Sequence, residues 1–251
     1  MPSDPLLTVR ALSKTYACRR WWSGTQPVTV ALHDVSFTIE PGHTLAIVGP
    51  SGSGKSTLAR CLAGFEKPTS GEILFTGRPL EIQLIFQQPA ASLNPRFTAA
   101  QIVEEPLLIQ RRGTPDTRLQ LAARSMQQVG LPASALHKRC HEFSGGERQR
   151  LALARALVLE PRLIIFDESL TGVDVDLQAR IMALLGDLQS RLGLAYILIL
   201  HDLTLALDFA SEIAVMERGA IVEHDAAAQI LASPRHPLTR ELLSAARALS
   251  L

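Results

Sequence analysis

The sequence predicts an α/β fold: a parallel sheet with helices on both faces, an antiparallel β subdomain at its N-terminal end and an inserted α-helical subdomain. Three observations predict it. The segment Gly49-Pro50-Ser51-Gly52-Ser53-Gly54-Lys55-Ser56, closed by Thr57, lies between an apolar strand-like run at 43–48 and a helix-like run at 57–63. From residue 162 onward short apolar runs alternate with helical stretches, the pattern of strands sharing a parallel sheet. Between these regions, residues 89–140 change to helical spacing with few β-branched runs.

Along the chain, apolar and polar residues alternate at 7–12 and again at 35–40, and Pro41-Gly42 supplies a turn. Antiparallel strands therefore lead into the strand at 43–48. A short strand with a turn follows at 71–77, and a further strand at 82–86. Helices are expected at 98–110 and 114–129, and a third runs from 144 to 159. Next come a strand at 163–166, a helix at 176–192, a strand at 196–200 and a helix at 203–210. Residues 212–223, broken by Arg218-Gly219, read as a β-hairpin, and the tail from 226 as two short helices separated by Ser233-Pro234. All of this is expected to form one domain: a core at 1–88 and 147–232, a helical subdomain at 89–146 and a helical tail at 233–251.

With 251 residues, 47% of them hydrophobic, the chain can bury a sizeable core unaided. Its formal net charge of +1 gives no global pull toward nucleic acid or an anionic membrane, and no nucleic-acid partner is expected. The one local basic cluster, Arg19-Arg20 beside Trp21-Trp22, reads as a solvated hairpin tip with two aromatics folded back. Cys18, Cys61 and Cys140 are scattered and without CxxC spacing, which suggests neither a disulfide framework nor a zinc site. Met1-Pro2-Ser3-Asp4-Pro5 lacks the regions of a signal peptide, and no apolar run approaches the roughly 20 residues that span a bilayer. A cytoplasmic protein is expected.

Three motifs carry chemistry. The glycines of 49–54 let the backbone turn tightly, so that successive N–H groups and a helix N-terminus converge on phosphate oxygens. Lys55 adds a mobile positive charge, and the Ser56 hydroxyl suits Mg²⁺. Such a P-loop leaves kinases, GTPases and motor ATPases open. The second motif narrows this: the apolar strand at 163–166 ends in Asp167-Glu168, placing Asp167 beside a metal and Glu168 where it could polarise a water for in-line attack. The third is Phe143-Ser144-Gly145-Gly146-Glu147-Arg148-Gln149-Arg150. Ser144 is a natural N-cap, Glu147 its capping-box partner, and the two glycines expose backbone N–H groups to a second anion. One nucleotide does not obviously need both surfaces. A head-to-tail dimer resolves this, with each ATP between the P-loop of one subunit and the Ser-Gly-Gly turn of the other.

Across nearly its whole length the sequence resembles the ATP-binding cassette family, whose nucleotide-binding subunits pair a P-loop with a Leu-Ser-Gly-Gly-Gln signature. The resemblance implies a P-loop NTPase core of the RecA-like kind, with ATP and Mg²⁺ as ligands. It implies that Tyr16 stacks on adenine, and that Gln87 touches Mg²⁺ and the attacking water and reports to a membrane subunit. It further implies that Asp174 lies on the loop crossing the dimer interface and that His201 contacts the γ-phosphate and helps orient Glu168. The chain departs from the pattern at Phe143 and Glu147 in the signature, and at Ser169-Leu170-Thr171-Gly172-Val173 before Asp174; the stretch 77–83 is short.

Residues 86–98, containing Ser92-Leu93-Asn94-Pro95-Arg96, and His236-Pro237-Leu238-Thr239-Arg240-Glu241-Leu242-Leu243 resemble the oligopeptide, dipeptide and nickel importer branch. Pro89 and Pro95 stiffen the chain just after Gln87, where a membrane partner would dock. Peptide members of that branch often carry a cysteine-rich extension; no cysteine follows Cys140, which favours a nickel, metal-chelate or short peptide-type system without an iron–sulfur cluster. The resemblance thus implies an ATP-hydrolysing subunit on the cytoplasmic face of the inner membrane. Its expected partners are transmembrane permease subunits, a second ATPase subunit (itself or a paralogue) and, indirectly, an extracytoplasmic solute-binding protein. A soluble cassette ATPase of the DNA-repair or translation type and a P-loop kinase are the alternatives.

Overall fold

A computed structural model describes residues 4–17, 28–86, 89–169 and 175–249. In chain order these form β1 (Leu7–Ala17), β2 (Val28–Ile39), β3 (Thr44–Val48), α1 (Lys55–Leu62), β4 (Ser70–Phe75) and β5 (Ile82–Ile85). Helices α2 (Ala99–Ile109), α3 (Pro115–Gln128) and α4 (Gly145–Leu157) follow. Then come β6 (Leu163–Asp167), α5 (Val175–Leu192), β7 (Ala195–Leu200), α6 (Leu203–Phe209), β8 (Glu212–Glu217), β9 (Ala220–Ala226), α7 (Ala227–Ala232) and α8 (Pro237–Leu249). Strands β1 and β2 continue well past their alternating segments, because pairing is carried on by Lys14 with Leu32, Thr15 with Val30 and Tyr16 with Thr29. The tip expected at Arg19-Arg20-Trp21-Trp22 lies outside the described residues.

The chain divides into two compact units. The first, Met1–Pro79 with Ala195–Leu251, holds an antiparallel sheet in the order β2-β1-β4 and strands in the order β7-β3-β8-β9. In the latter run β7, β3 and β8 are parallel and β9 returns antiparallel to β8. Every residue of β3 and β7 is buried, which is why both read as continuous apolar runs rather than alternating ones. On β9, the buried Glu223 accepts the backbone N–H groups of Arg235 (2.8 Å) and His236 (2.9 Å) and so seats the start of α8. Burial alone would push this carboxyl up, but the Thr239 hydroxyl, those two N–H groups and the Arg235 guanidinium outweigh it and hold it below the usual glutamate range.

The second unit, Leu80–Leu194, pairs β5 with β6 in parallel, Ile85 opposite Phe166. It packs α2, α3 and α4 around Ile102, Leu107, Met126 and Leu151, all fully buried. Thr98 and Gln101 form a capping box on α2, and Thr114 caps α3 with Pro115 at its first turn, the start signals that helices of this spacing require. Helix α5 turns Ile181, Met182, Leu185 and Leu188 inward at helical spacing. Among the described residues no helix is long and apolar enough to cross a membrane.

Candidate functional site

The loop after β3 is built by close backbone approach. Gly49 has φ 154°, and a Cβ there would stand 2.2 Å from the Met216 carbonyl oxygen. Gly54 has φ 106°, and its Cβ would stand 2.4 Å from that of Ala31. Only glycine fits at either place. The β8–β9 turn holds the loop from outside, Gly219 N–H donating to the Ser53 carbonyl at 2.9 Å. Lys55 is 4% exposed, and its ammonium curls back to donate to the carbonyls of Gly49 (2.8 Å) and Pro50 (3.1 Å). Helix α1 starts at Gly54 with no side-chain cap and no acidic residue in its first turn, so its N-terminal end carries the positive pole of the helix toward the loop. Ser53 Oγ is buried without a partner in the structure. An anion supplies what this loop lacks, and the fit is to a polyphosphate.

Strand β7 runs parallel beside β3, with Leu200 opposite Val48, so His201 and Gly49 leave neighbouring strands at the same edge. His201 is exposed there, and the next residue, Asp202, caps α6 by accepting the Thr204 N–H at 2.8 Å. Tyr16 lies in the same unit, on β1, its hydroxyl donating to Glu66 in the segment after α1. Nothing in the sequence periodicity marks Glu66; only the folded strand and helix bring it to Tyr16.

In the second unit Asp167 is the last residue of β6 and 7% exposed, and Glu168 follows with φ 50°, left-handed for a residue with a side chain. Ser169 is buried, its hydroxyl without a partner in the structure. Gln87 and Asp174 lie outside the described residues. Helix α4 opens as expected: Ser144 Oγ accepts the Glu147 N–H at 3.3 Å, and Glu147 Oε2 accepts the Ser144 N–H at 2.8 Å. The Ser144 backbone and hydroxyl bonds hold the Glu147 carboxyl below its ordinary range. Gly145 is exposed with nothing within 4 Å of where a Cβ would stand, leaving its backbone open to a ligand. At the other end of α4, Arg155 reaches the Ser92 carbonyl (3.2 Å) and hydroxyl (2.7 Å), a tie the sequence does not announce.

A glycine loop closed by a buried lysine and an uncapped helix, in an α/β unit, defines a nucleotide-phosphate-binding protein. The ABC transporter family model matches residues 32–171, and the chain belongs to that family. It is 42% identical over 96% of its length to the "Dipeptide transport ATP-binding protein DppF" of Escherichia coli, spanning 76% of that protein. It is likewise 42% identical over 98% of its length to the "Putative peptide import ATP-binding protein BOV_A0347" of Brucella ovis, spanning 80% of it. Among solved structures, cbiO1 from Clostridium perfringens, described as part of the ABC transporter complex cbiONQ, superposes with TM-score 0.77 at 26% identity, over 99% of this chain and all of that one. The ATP-binding cassette MJ0796, in a dimeric post-hydrolysis state bound to ADP and Pi, gives TM-score 0.72 at 28% identity, over 88% of this chain and 98% of that one.

Proposed function

We propose that this chain is the ATP-hydrolysing subunit of an importer, that it works as a head-to-tail pair on the cytoplasmic side of a membrane, and that its cargo is peptides. The observation that carries this reading is the presence of two anion-ready helix starts on one chain, at Gly54 and at Ser144, combined with peptide-import names among its relatives. Residues 49–57 cradle the phosphates. Ser144, Gly145 and Gly146 of the second subunit close over the γ-phosphate, and Asp174 lies on the loop that meets that subunit. Tyr16 takes the adenine, Glu168 draws a proton from the attacking water, and His201 contacts the γ-phosphate and helps orient Glu168.

As donors to a metal this reading assigns one hydroxyl, one carboxylate and one amide: Ser56, Asp167 and Gln87. Among the described residues no group of three or more His, Cys, Asp or Glu could hold a metal. That set suits Mg²⁺, which keeps water and substrate phosphates in its shell rather than an all-protein cage. When bound, Mg²⁺ would neutralise charge developing on the phosphates. In this reading the core occupies 1–88 and 147–232, the helical subdomain 89–146 and the tail 233–251. Closure of the pair on ATP moves the segment after Gln87, and a permease docked there follows. The partners are transmembrane permease subunits, a second ATPase subunit and, through the permease, a solute-binding protein.

The test is co-purification with a polytopic membrane protein, together with peptide uptake in cells lacking the chain. Loss of peptide uptake with nickel uptake intact supports the peptide assignment. Loss of nickel uptake alone would replace it, and an ATPase that associates with no membrane protein would refute the transport reading.

A further inference from the structure

Tyr16 is anchored from below. Its phenol donates to Glu66 Oε2 and also meets the Thr57 hydroxyl on α1. Glu66 is itself held: Arg60 Nε, on α1, lies 2.8 Å from Oε1 and Lys14 Nζ 3.8 Å from Oε2. The Lys14 ammonium is fixed in turn by the Lys67 carbonyl at 2.8 Å, and sits 5.0 Å from the centre of the Tyr16 ring. Burial, and next the hydrogen bond to Glu66, push the phenol above its ordinary range.

We propose that Glu66 is a positioning residue for the nucleotide base: by holding the phenol it fixes the Tyr16 ring to α1, the helix whose N-terminal end closes the phosphate loop. This rests on the reading of Tyr16 as the adenine platform. The ring is then tied to the helix that closes the phosphate loop, directly by Thr57 and through Glu66 by Arg60. Because the ring is ordered before nucleotide arrives, its rotamer entropy is not charged against binding. Lys14 occupies one face of the ring by its cation–π contact, and the base takes the opposite face.

The experiment measures equilibrium binding of ATP and of inorganic triphosphate, which lacks a base, to purified full-length variants. Tyr16→Ala should weaken ATP by about tenfold or more, the scale of a lost stacking contact. Glu66→Ala and Tyr16→Phe should each weaken ATP by about threefold, the scale of one hydrogen bond, and leave triphosphate unchanged. The double variant should be no weaker than either single one, because both remove the same anchor. Glu66→Gln, which keeps an acceptor, should recover most of the affinity. ATP affinity that falls with Tyr16→Ala but is untouched by Glu66→Ala overturns the positioning role and leaves the adenine platform standing. No effect of Tyr16→Ala removes the platform itself. Equal loss of ATP and triphosphate on Glu66→Ala assigns Glu66 to the phosphate loop and also overturns the proposal.

Discussion

A methyl group on Gly54 would stand 2.4 Å from the Ala31 carbonyl oxygen, in a backbone conformation at φ 106° that side chains rarely adopt. Gly54→Ala should therefore cost about 2 kcal/mol or more in urea unfolding and abolish ATP binding, since the strain falls where the phosphate cradle turns. An unchanged unfolding midpoint would contradict that placement. Glu168 is the residue from which hydrolysis is expected. Glu168→Gln keeps the shape and removes the base, so turnover should fall by at least about 100-fold while ATP still binds, and the variant should elute as an ATP-stabilised pair in size-exclusion chromatography. Turnover close to the unsubstituted rate would remove Glu168 from its role. Both residues were legible in the sequence by type and order. The left-handed turn at Glu168 was not, because no local pattern requires φ 50° of a glutamate.

The start of α4 shows what an element can reveal on its own. Ser144 and Glu147 are three residues apart, so their reciprocal hydrogen bonds are local and could be expected from the chain order alone. Ser144→Ala should cost about 1 kcal/mol of unfolding free energy. Ties between elements are different. Arg155 and Ser92 lie 63 positions apart and meet only when α4 packs on the turn after β5. Burial lowers the guanidinium's hold on its proton, yet Ser92 keeps it placed. Arg155→Ala should speed amide hydrogen exchange across residues 89–97, while exchange in β3 and β7 stays as it was. Glu223 gives a pH test. Its native pKa is depressed, so its stabilisation is full above the unfolded glutamate value of about 4.3 and is lost as pH falls through the native one. Glu223→Gln should destabilise the protein at pH 7 by about 1–3 kcal/mol, and make the loss of stability below about pH 5 shallower. An identical acid limb in both proteins would show that Glu223 does not carry the linkage.

For the whole molecule, the proposed pairing and the proposed docking segment are separable. Substituting the exposed residues of 89–97 should abolish co-purification with the permease while ATP-dependent pairing of Glu168→Gln survives; loss of both together would place the segment in the pairing surface instead. The family was legible because its motifs are contiguous. The P-loop, the Ser-Gly-Gly turn and the Asp-Glu strand end are each made of residues a few positions apart, so spacing alone encodes them. Element order was legible for the same reason, since burial on one face or two leaves period and length in the sequence. The sequence by itself therefore determined the fold class, the nucleotide and the order of the site residues. The tertiary structure alone decided which distant groups meet: Tyr16 with Glu66, 50 positions away, Arg155 with Ser92, and Glu223 with the start of α8. Those pairings are set by ladder register and helix packing, which join residues across long loops, and no local periodicity records them.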